Sequence, residues 1–564
     1  MSRFSLIAIV LLASFSDWCY SQYIRDNELL RKIVSASGQA EVAMPKPGRH
    51  DLDRLSRDFS ISGVSDDEVR VKLSPRDIEK FINSGAEFRI IERPASKVIT
   101  GIPAPEKGTE WQTYPTYTQY ISIMRSFASE YPSICLLDTI GISINGRAIL
   151  VLKISDNCKK DEPEPEVFYT SSMHGDETAG FVLMMRLAGY LLGNYSSDIR
   201  IRTLVDDLEI WINPLANPDG TYRDGDNIVS PVRNNANGYD LNRNFPDPGY
   251  TIEVRQKETL DMMRFLSDRR FALSANFHSG EEVVNYPWDR WPFDHADKDW
   301  FYSVSRAWAD TVHLYSEKSY MDKLDNGVTN GYSWYTVYGG RQDYVTYQLS
   351  GREITVELDR IDFTPEERLD FLWQYNYRSM LNYIGNALYG IQGFVKDAVT
   401  GDPVPAKVFI KGHDVDNSHV FADSATGFFT RFLKPRSWDL TFTAGGYHDT
   451  TITGVQVYDH ETTYLEVRIN PILNPANTIG RTRPYLYPNP ASGYIKAVLP
   501  DHLHGGVNIK IFNSSGKILS DFGYETIAGF PISLDIRKLR KGSYIVVFTN
   551  LMTGQTGSGS FIVN

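Results

Sequence analysis

The sequence predicts a multidomain protein built around an α/β domain, with a mixed, mostly buried sheet covered by helices on both faces. Its 564 residues exceed what one compact core holds, since domains average roughly 150 residues. Apolar strands alternate with helical patterns over residues 106–390, which is typical of a sheet buried on both sides. After Gly390 short strands with turn residues predict two all-β sandwich domains.

The first 21 residues have the pattern of a secretory signal peptide. One basic residue, Arg3, precedes an apolar run from Leu6 to Phe15, and small and polar residues follow. The run is too short to cross a bilayer, and no stretch of about 20 apolar residues occurs elsewhere. We therefore expect export and no transmembrane segment.

Residues 22–105 predict a small α/β unit. Its clearest elements are a strand over residues 68–73 and a helix capped by Ser74, with Pro75 in the first turn as helix starts prefer. A unit placed directly before the largest domain suits either of two roles. The two alternatives are a propeptide that covers a functional site and a packing domain without a regulatory role.

Helices and strands alternate in the predicted α/β domain. Helical patterns cover residues 117–131, 178–192, 251–267 and 365–388, and apolar strands cover residues 167–171, 208–212, 272–276 and 353–358. In such sheets reactive groups collect where strands end.

Cys135 and Cys158 flank a predicted hairpin. The sequence does not decide between a disulfide and two free thiols.

The charge balance argues against nucleic acid as a partner. Lys and Arg together number 58 and Asp and Glu number 70, so the formal net charge is −12. Phosphate backbones attract clustered cations, and an excess of carboxylates opposes that attraction. We expect no general role in nucleic-acid binding.

Three residues form a candidate site for one Zn²⁺ ion. His174 and Glu177 lie where a strand gives way to a helix, and His278 ends another strand 101 positions after Glu177. Two imidazoles and one carboxylate suit zinc and leave a coordination position open for water. A His-x-x-Glu alone also occurs by chance, and a single histidine is more often part of a core. The surrounding motifs therefore decide between these interpretations.

Six sequence blocks in a fixed order identify the chain as similar to the zinc metallocarboxypeptidases. They are His174-Gly-Asp-Glu177, residues 213–220, residues 233–245, His278, residues 334–343 and residues 354–358. The resemblance covers residues 111–470 and is stronger to the regulatory branch, that of carboxypeptidases N and E, than to the digestive one. It implies a peptide hydrolase that acts on peptide and protein C-termini.

The resemblance also implies roles for residues beside the metal. Glu357 matches the general acid/base, which takes a proton from the attacking water and delivers it to the leaving amine. Arg233 matches the residue that stabilises the developing oxyanion. Asp240 matches the partner that orients a ligand histidine.

Substrate-binding residues are implied in the same way. Asn242 and Arg243 match the pair that grips the terminal carboxylate, for which a guanidinium offers two parallel hydrogen bonds. Tyr335, identified by counting back from Gly339, matches the tyrosine that closes over the bound chain end.

Two further residues imply selection of a C-terminal Lys or Arg. Asp289 looks like the aspartate at the bottom of the specificity pocket, although a turn residue after proline is the alternative, and Gln342 occupies a second pocket position. The chain departs from the branch at Ser279, at Glu281-Glu282 and at Arg341. We expect Arg341 either to repel a cationic substrate or to pair with Asp289, while catalysis stays intact.

The C-terminal part resembles two known modules. Residues 391–470, most clearly over 390–412, are similar to the transthyretin-like β-sandwich that follows the catalytic domain in that branch. After a linker over 471–484, residues 485–564 resemble the sorting domain of the type IX secretion system, for example in Tyr487-Pro-Asn-Pro-Ala491. This implies secretion machinery as a partner and a secreted or cell-surface location. A further adhesive sandwich is the alternative.

These expectations describe a secreted zinc-dependent exopeptidase that hydrolyses single C-terminal residues, Lys or Arg, from peptides and proteins. Two alternatives stay open: a zinc peptidase or amidase acting on cell-wall peptides, and a non-catalytic surface binding protein on the same scaffold. The Asn242-Arg243 clamp argues against strict endopeptidase action. The retained ligands and base argue against a dead scaffold.

Overall fold

A computed structural model describes residues 25–91, 111–252, 254–472, 483–526 and 531–564. The chain forms two compact units, one ending at Asn470 and one beginning at Pro471. The predicted signal peptide, and residues 473–482 of the predicted linker, lie outside the described residues. Among the residues that are described, no helix is long and apolar enough to cross a membrane.

The predicted N-terminal unit is a small α/β fold with a core of its own. A helix covers residues 25–37, and two more are Arg49–Asp58 and Ile78–Asn83. They accompany an antiparallel sheet with the strand order Ser60–Val64, Glu68–Leu73, Ala40–Pro45 and Arg89–Ile91. Residues such as Leu30, Val42 and Phe81 form the core.

The helix expected directly after Ser74 begins later, at Ile78. The Ser74 hydroxyl donates to Asp77 Oδ2 at 2.6 Å and accepts from the Arg76 N–H at 3.2 Å. These bonds hold residues 74–77 in a turn, which is the alternative that serine and aspartate side chains offer to a helix. The predicted cap at Ser74 was wrong for this reason.

The middle of the chain forms an eight-stranded mixed sheet. Its strand order is Val328–Asn330, Glu281–Tyr286, Arg352–Asp359, Phe271–His278, Glu166–Ser171, Glu209–Asn213, Ala148–Ile154 and Cys135–Ile142. The four strands from Arg352–Asp359 to Glu209–Asn213 are parallel. Their carboxyl ends therefore meet at one edge, where ligands bind in sheets of this kind.

Helices cover both faces of this sheet, as the sequence predicts. The longer ones are Tyr117–Glu130, Ala179–Asn194, Ile199–Asp206, Lys257–Asp268, Lys298–Tyr315 and Glu366–Gly385. Val167 and Phe168, which are consecutive in one strand, belong to two different apolar clusters. Side chains of a strand alternate between faces, so the two clusters lie on opposite sides of the sheet. No described residue of 25–91 belongs to either cluster.

Residues 390–470 form two sheets around one apolar core. One contains Phe428–Arg431, Gly390–Asp397 and Thr462–Ile469, and the other contains Val420–Phe421, Lys407–Phe409, Arg436–Thr443 and Thr450–Val457. A buried ion network joins this region to the α/β domain. In it Asp297 binds both Arg352 and Arg431.

The second unit is also all-β and has its own core. One sheet contains Tyr485–Tyr487, Tyr494–Val498 and Ile532–Asp535, and the other contains Ile518–Thr526, Gly505–Asn513, Gly542–Asn550 and Thr556–Val563.

Cys135 and Cys158 are buried free thiols. The Cys158 thiol donates to the Ser133 carbonyl at 3.4 Å, and burial raises the pKa of Cys135 to about 12. Of the two states left open by the sequence, the structure contains the reduced one.

Candidate active site

His174, Glu177 and His278 converge at the carboxyl edge of the parallel strands. Nδ1 of His174 lies 2.8 Å from Glu177 Oε1, and Nδ1 of His278 lies 2.6 Å from Glu177 Oε2. The two Nδ1 atoms are 3.1 Å apart. All three side chains are buried. Nitrogen and oxygen donors that point at one spot in a dry site are the ligand set of a zinc ion.

The loop that carries the first two ligands is held by close backbone packing. It follows the strand Glu166–Ser171, which lies beside the strand that ends in His278. A Cβ atom at Gly175 would lie 2.3 Å from the backbone carbon of Gly220, so only glycine fits there. This contact brings the His174 and Glu177 side chains to the edge where His278 ends its strand.

Each imidazole is also held at its outer nitrogen. His174 Nε2 lies 3.0 Å from Asp240 Oδ1, as the predicted role of Asp240 requires. His278 Nε2 lies 2.8 Å from the Asn276 amide, whose Oδ1 has no partner among the described residues. Rotating this amide by 180° presents Oδ1 to Nε2–H, since the two orientations are interchangeable. Both Nδ1 lone pairs are then available to a metal, so the residues fit zinc.

Glu357 lies directly beside the triad. It pairs in register with His278 on the neighbouring parallel strand, and it lines the same cavity. Burial raises its pKa well above the ordinary value, and the nearby Glu177 carboxylate raises it further. Its Oε2 has no hydrogen-bond partner within the described part of the chain. A carboxylate so placed can exchange a proton with a water at the metal position.

Arg233 brings a fixed positive charge to the cavity. Its Nη1 donates to Glu177 Oε1 at 3.0 Å, and its Nε donates to Asp240 Oδ2 at 2.9 Å. The side chain is almost completely buried. A guanidinium held in this way stabilises negative charge that develops close to it.

Asn242 and Arg243 line the other side of the cavity. Asn242 Oδ1 accepts from the Arg341 N–H at 2.9 Å, and Arg243 Nη1 donates to the Asn242 carbonyl at 3.0 Å. The Nε and Nη2 atoms of Arg243 are buried, and no described residue accepts from them. A guanidinium with two open donors can bind a carboxylate through both.

Trp334 and Tyr335 also line the cavity, which measures about 20 Å³. Their rings are 5.0 Å apart, and Tyr335 also packs against the core of the N-terminal unit. Ser279, one of the departures from the family pattern, lines the cavity and donates its N–H to Glu177 Oε2 at 3.3 Å. Glu282 points elsewhere and pairs with Arg360 at 2.9 Å.

Comparison with known proteins identifies this arrangement. Residues 120–379 match the model of the family described as zinc carboxypeptidase. Mouse (Mus musculus) carboxypeptidase M is 35% identical over 357 residues, which cover 60% of this chain and 79% of that protein. The catalytic chain of human (Homo sapiens) carboxypeptidase N is 32% identical over 385 residues, which cover 60% and 81%. The chain belongs to the zinc carboxypeptidase family.

The other comparisons define how far the likeness extends. Human carboxypeptidase D is 35% identical over 351 residues, and the match covers 58% of this chain but only 25% of that longer protein. The solved structure of carboxypeptidase A from Helicoverpa armigera is 18% identical, with a TM-score of 0.50, and it covers 62% of this chain and 97% of that one. At that identity the likeness concerns the fold alone.

Residues 485–563 match the model of the secretion system C-terminal sorting domain. The predicted sorting domain is thereby confirmed, and it indicates export to the cell surface or the medium. The two matches thus cover two of the three resemblances found in the sequence, those to the zinc carboxypeptidases and to the sorting domain.

Within this zinc carboxypeptidase fold, Asp289 and Gln342 form a second polar cluster. Asp289 Oδ1 accepts from Gln342 Nε2 and from Asn285 Nδ2, both at 2.9 Å. Burial raises the pKa of Asp289 to about 6. A Cβ at Gly331 would lie 1.8 Å from Asp289 Oδ1, so glycine makes room for the carboxylate. Gln342 Oε1 and Asn285 Oδ1 are buried without a donor from any described residue.

Arg341 takes neither of the two positions expected from the sequence. Its Nη2 donates to Glu353 Oε2 at 2.8 Å, and both side chains are fully buried. Its guanidinium lies 5.0 Å from the centre of the Phe168 ring. Glu353 therefore neutralises Arg341.

The sequence did not reveal the contacts that the N-terminal unit makes with this site. Ser60 Oγ donates to Asp240 Oδ2 at 2.8 Å, and the Arg233 N–H donates to Gln39 Oε1 at 2.9 Å. Ile61 and Ser62 form part of the cavity wall. The polar face of the strand Ser60–Val64 was the available signal, but nothing in it indicates a partner so far along the chain.

Asn276 and Asn285 were also missed. Asn276 lies two positions before His278 and so shares its face of the strand. Asn285 lies four positions before Asp289, on the strand Glu281–Tyr286. A search for polar residues on the same strands would have found both, although not which of their atoms stay without partners.

Proposed function

We propose that this protein is a secreted zinc-dependent carboxypeptidase that releases single C-terminal residues, with preference for Lys or Arg. One observation carries the proposal. Arg243, two of whose buried donors have no partner among the described residues, lines the same cavity as His174, Glu177, His278 and Glu357. A free chain terminus is the group in a peptide that satisfies such a fork, and it identifies an exopeptidase.

The residues of the cavity suit hydrolysis of the last peptide bond. A zinc ion held by His174, Glu177 and His278 supplies Lewis-acid chemistry and lowers the pKa of a water molecule. Glu357 accepts a proton from the water that attacks the scissile carbonyl and delivers it to the departing amine. Arg233 stabilises the negative charge that develops on the carbonyl oxygen. Arg243 and Asn242 fix the end of the chain, and Tyr335 covers it.

A basic C-terminal side chain satisfies the pocket around Asp289. The pocket offers one carboxylate and two acceptors, Gln342 Oε1 and Asn285 Oδ1, that no described residue uses. An ammonium or guanidinium group provides several donors and a positive charge, whereas an apolar side chain leaves these acceptors unpaired. The Arg341–Glu353 pair favours the same preference because Glu353 neutralises the guanidinium of the residue next to Gln342.

We propose further that the N-terminal unit is an inhibitory propeptide. The cavity of about 20 Å³ holds roughly one water molecule and no peptide. The unit makes this restriction, because Ile61 and Ser62 complete the cavity wall and Tyr335 packs against the core of the unit. Turnover then requires that the unit move away. Its separate core is consistent with release as a folded piece.

The remaining regions receive supporting roles. We assign residues 391–470 to the transthyretin-like β-sandwich of the regulatory branch, and the buried Asp297–Arg431 pair is consistent with support of the catalytic domain. The sorting domain makes secretion machinery the second partner of the chain, beside peptide and protein C-termini.

The test uses the full chain with a protease recognition sequence inserted into residues 92–110. Peptides ending in Lys, Arg, Phe or Glu are incubated before and after cleavage, with and without a chelator. We expect release of Lys and Arg after cleavage, loss of release with the chelator, and recovery when zinc is returned. No release from any free C-terminus after cleavage would contradict the proposed activity.

Substitutions in the N-terminal unit test its inhibitory role without cleavage. Lys72→Met removes a buried cation that contacts the catalytic domain, whereas Lys80→Met removes an exposed one that pairs with Asp58 of the same unit. We expect activity of the uncut chain to rise in the first variant and not in the second. Equal, full activity of all uncut chains would make the unit a packing domain.

A further inference from the structure

Several cationic side chains of the N-terminal unit contact the catalytic domain. Five of them reach carboxylates, carbonyl groups or tyrosine rings around the cavity: Arg49, Arg57, Arg70, Lys72 and Arg76. All five belong to the unit, and all the groups that they contact here belong to the catalytic domain. The covered face is therefore already a surface that binds cations.

Lys72 makes the most deeply buried of these contacts. Its Nζ lies 2.8 Å from Asp176 Oδ2 and 3.0 Å from Asp362 Oδ2, and its side chain is 2% exposed. Asp176 lies between the ligands His174 and Glu177 in the sequence. Asp362 lies beside the cavity wall, since its Oδ1 is 3.0 Å from the position of a Cβ at Gly280.

Three tyrosines of the catalytic domain bind the arginines. The guanidinium carbons lie 3.4 Å from the centre of the Tyr239 ring for Arg76, 4.0 Å from Tyr332 for Arg49 and 4.7 Å from Tyr338 for Arg57. At these distances the ring faces attract cations. Tyr239 precedes Asp240, and Tyr332 and Tyr338 flank Tyr335, so the rings belong to the surroundings of the cavity.

We infer that, once the unit has moved away, these carboxylates and the rings of Tyr239 and Tyr332 bind basic residues that precede the C-terminal residue of the substrate. The inference rests on the proposed function and narrows its substrate class to peptides whose last several residues are rich in Lys and Arg. Departure of the unit leaves Asp176 and Asp362 without the Lys72 ammonium. Loss of that ammonium lowers the positive charge beside two buried carboxylates, and a basic peptide segment supplies positive charge in its place.

The shape of the site favours this occupant over other cations. Ile61 and Ser62 of the N-terminal unit line the cavity, so on our proposal a peptide held there by Arg243 extends across the position that the unit now occupies. Its upstream residues then pass over the face that contacts the five cationic side chains. The excess of acidic residues in the whole chain, with a formal charge of −12, adds a long-range attraction for the same peptides.

The experiment compares two peptides that end in the same residue. One is Arg-Arg-Arg-Ala-Lys and the other is Ala-Ala-Ala-Ala-Lys, so that the first cleavage is identical and its product ends in alanine. After cleavage of the chain within residues 92–110, we expect kcat/KM to be about tenfold higher for the arginine-containing peptide. The ratio should fall as salt increases, because part of the interaction is between exposed charges.

Matched variants locate the effect. Asp362→Asn should reduce the ratio to about twofold, and Tyr239→Leu should reduce it by a smaller factor. Asp402→Asn, an exposed substitution in the all-β region, should leave it unchanged. The alanine peptide reports whether a variant is still folded and active, since only the difference between the two peptides carries the inference.

The outcomes separate the two proposals. Equal rates for the two peptides, with Lys released from both, overturn the inference and leave the carboxypeptidase assignment in place. If neither peptide is cleaved, binding of both to the cleaved Glu357→Gln chain is measured by calorimetry. Tighter binding of the arginine-containing peptide, lost in the added Asp362→Asn variant, supports the basic surface without turnover, and equal binding overturns it.

Discussion

The metal side and the substrate side of the cavity differ in how completely their polar atoms are paired. On the metal side, Asp240 bonds to His174 and Arg233, and Glu177 contacts both histidines. Among the residues predicted to bind substrate, two nitrogens of Arg243, which lines the cavity, and the Oε1 of Gln342 have no partner among the described residues. The carboxylates named on the metal side are paired by other side chains of the protein, whereas the atoms named on the substrate side are not.

This difference indicates which parts of the site the protein builds alone. A buried polar group without a partner costs about 1–3 kcal/mol, so a chain keeps one where a ligand supplies the missing bond. On our proposal the fold fixes the metal ligands, and the substrate supplies the bonds that Arg243 and Gln342 lack. Substitutions on the two sides should therefore have different kinetic effects.

The largest effect is expected at Glu357, between the two sides. Glu357→Gln keeps the size of the side chain but cannot accept a proton, so we expect kcat to fall by about 10³-fold or more. Bound zinc, measured by elemental analysis, should stay at one equivalent because His174, Glu177 and His278 are intact. Glu317→Gln, at an exposed position, is the control. Activity retained by the Glu357 variant would place the base elsewhere.

The clamp on the substrate side should give the next largest effect. Arg243→Lys keeps a positive charge but loses the fork with two parallel donors. We expect kcat/KM to fall by about 100-fold, mainly through KM, and discrimination between free and amidated C-termini to fall with it. Arg202→Lys, at an exposed position, should have neither effect. Loss of kcat with unchanged KM would instead assign Arg243 to the metal side.

The sequence predicted the metal side better than the substrate side, for a physical reason. The ligands of an ion must be particular residue types at particular strand ends, so His174, Glu177 and His278 are recognisable from pattern and family likeness. Which atoms of Arg243 and Gln342 lack a hydrogen-bond partner depends on the side chains that pack around them. That packing comes from segments far apart in the chain, which local sequence does not specify.

Arg341 illustrates the same limit. The sequence offered repulsion of the substrate or a pair with Asp289, and both interpretations ignored Glu353, whose side chain points to Arg341 from an adjacent strand. The face of the sheet to which a strand residue points follows from its register, and register follows from long-range pairing. The prediction of a helix directly after Ser74 was wrong for a local reason instead. Two short-range hydrogen bonds of Ser74 hold the chain in a turn there.

Asp289 offers a narrower way to test the substrate side. Asp289→Asn keeps an acceptor for Gln342 and Asn285 but removes the negative charge that we propose binds a basic side chain. We expect the preference for Lys over Leu at the C-terminus, measured as a ratio of kcat/KM values, to fall by about 30-fold. Asp294→Asn, on the exposed surface nearby, should not change the ratio. A ratio unchanged in the Asp289 variant would make Asp289 a turn residue.

The smallest predicted effect is a pH dependence of the same ratio. Burial raises the pKa of Asp289 to about 6, so its carboxylate is ionised above pH 6 and becomes protonated as the pH falls through that value. We expect the Lys-to-Leu ratio to decrease by up to about tenfold between pH 7.5 and pH 5. The Leu peptide corrects for titration of Glu357 and of the metal ligands, which affects both substrates equally. Because Asp289→Asn cannot titrate, its ratio should stay constant over this range, and a decrease that persists in the variant would assign the titration to another group.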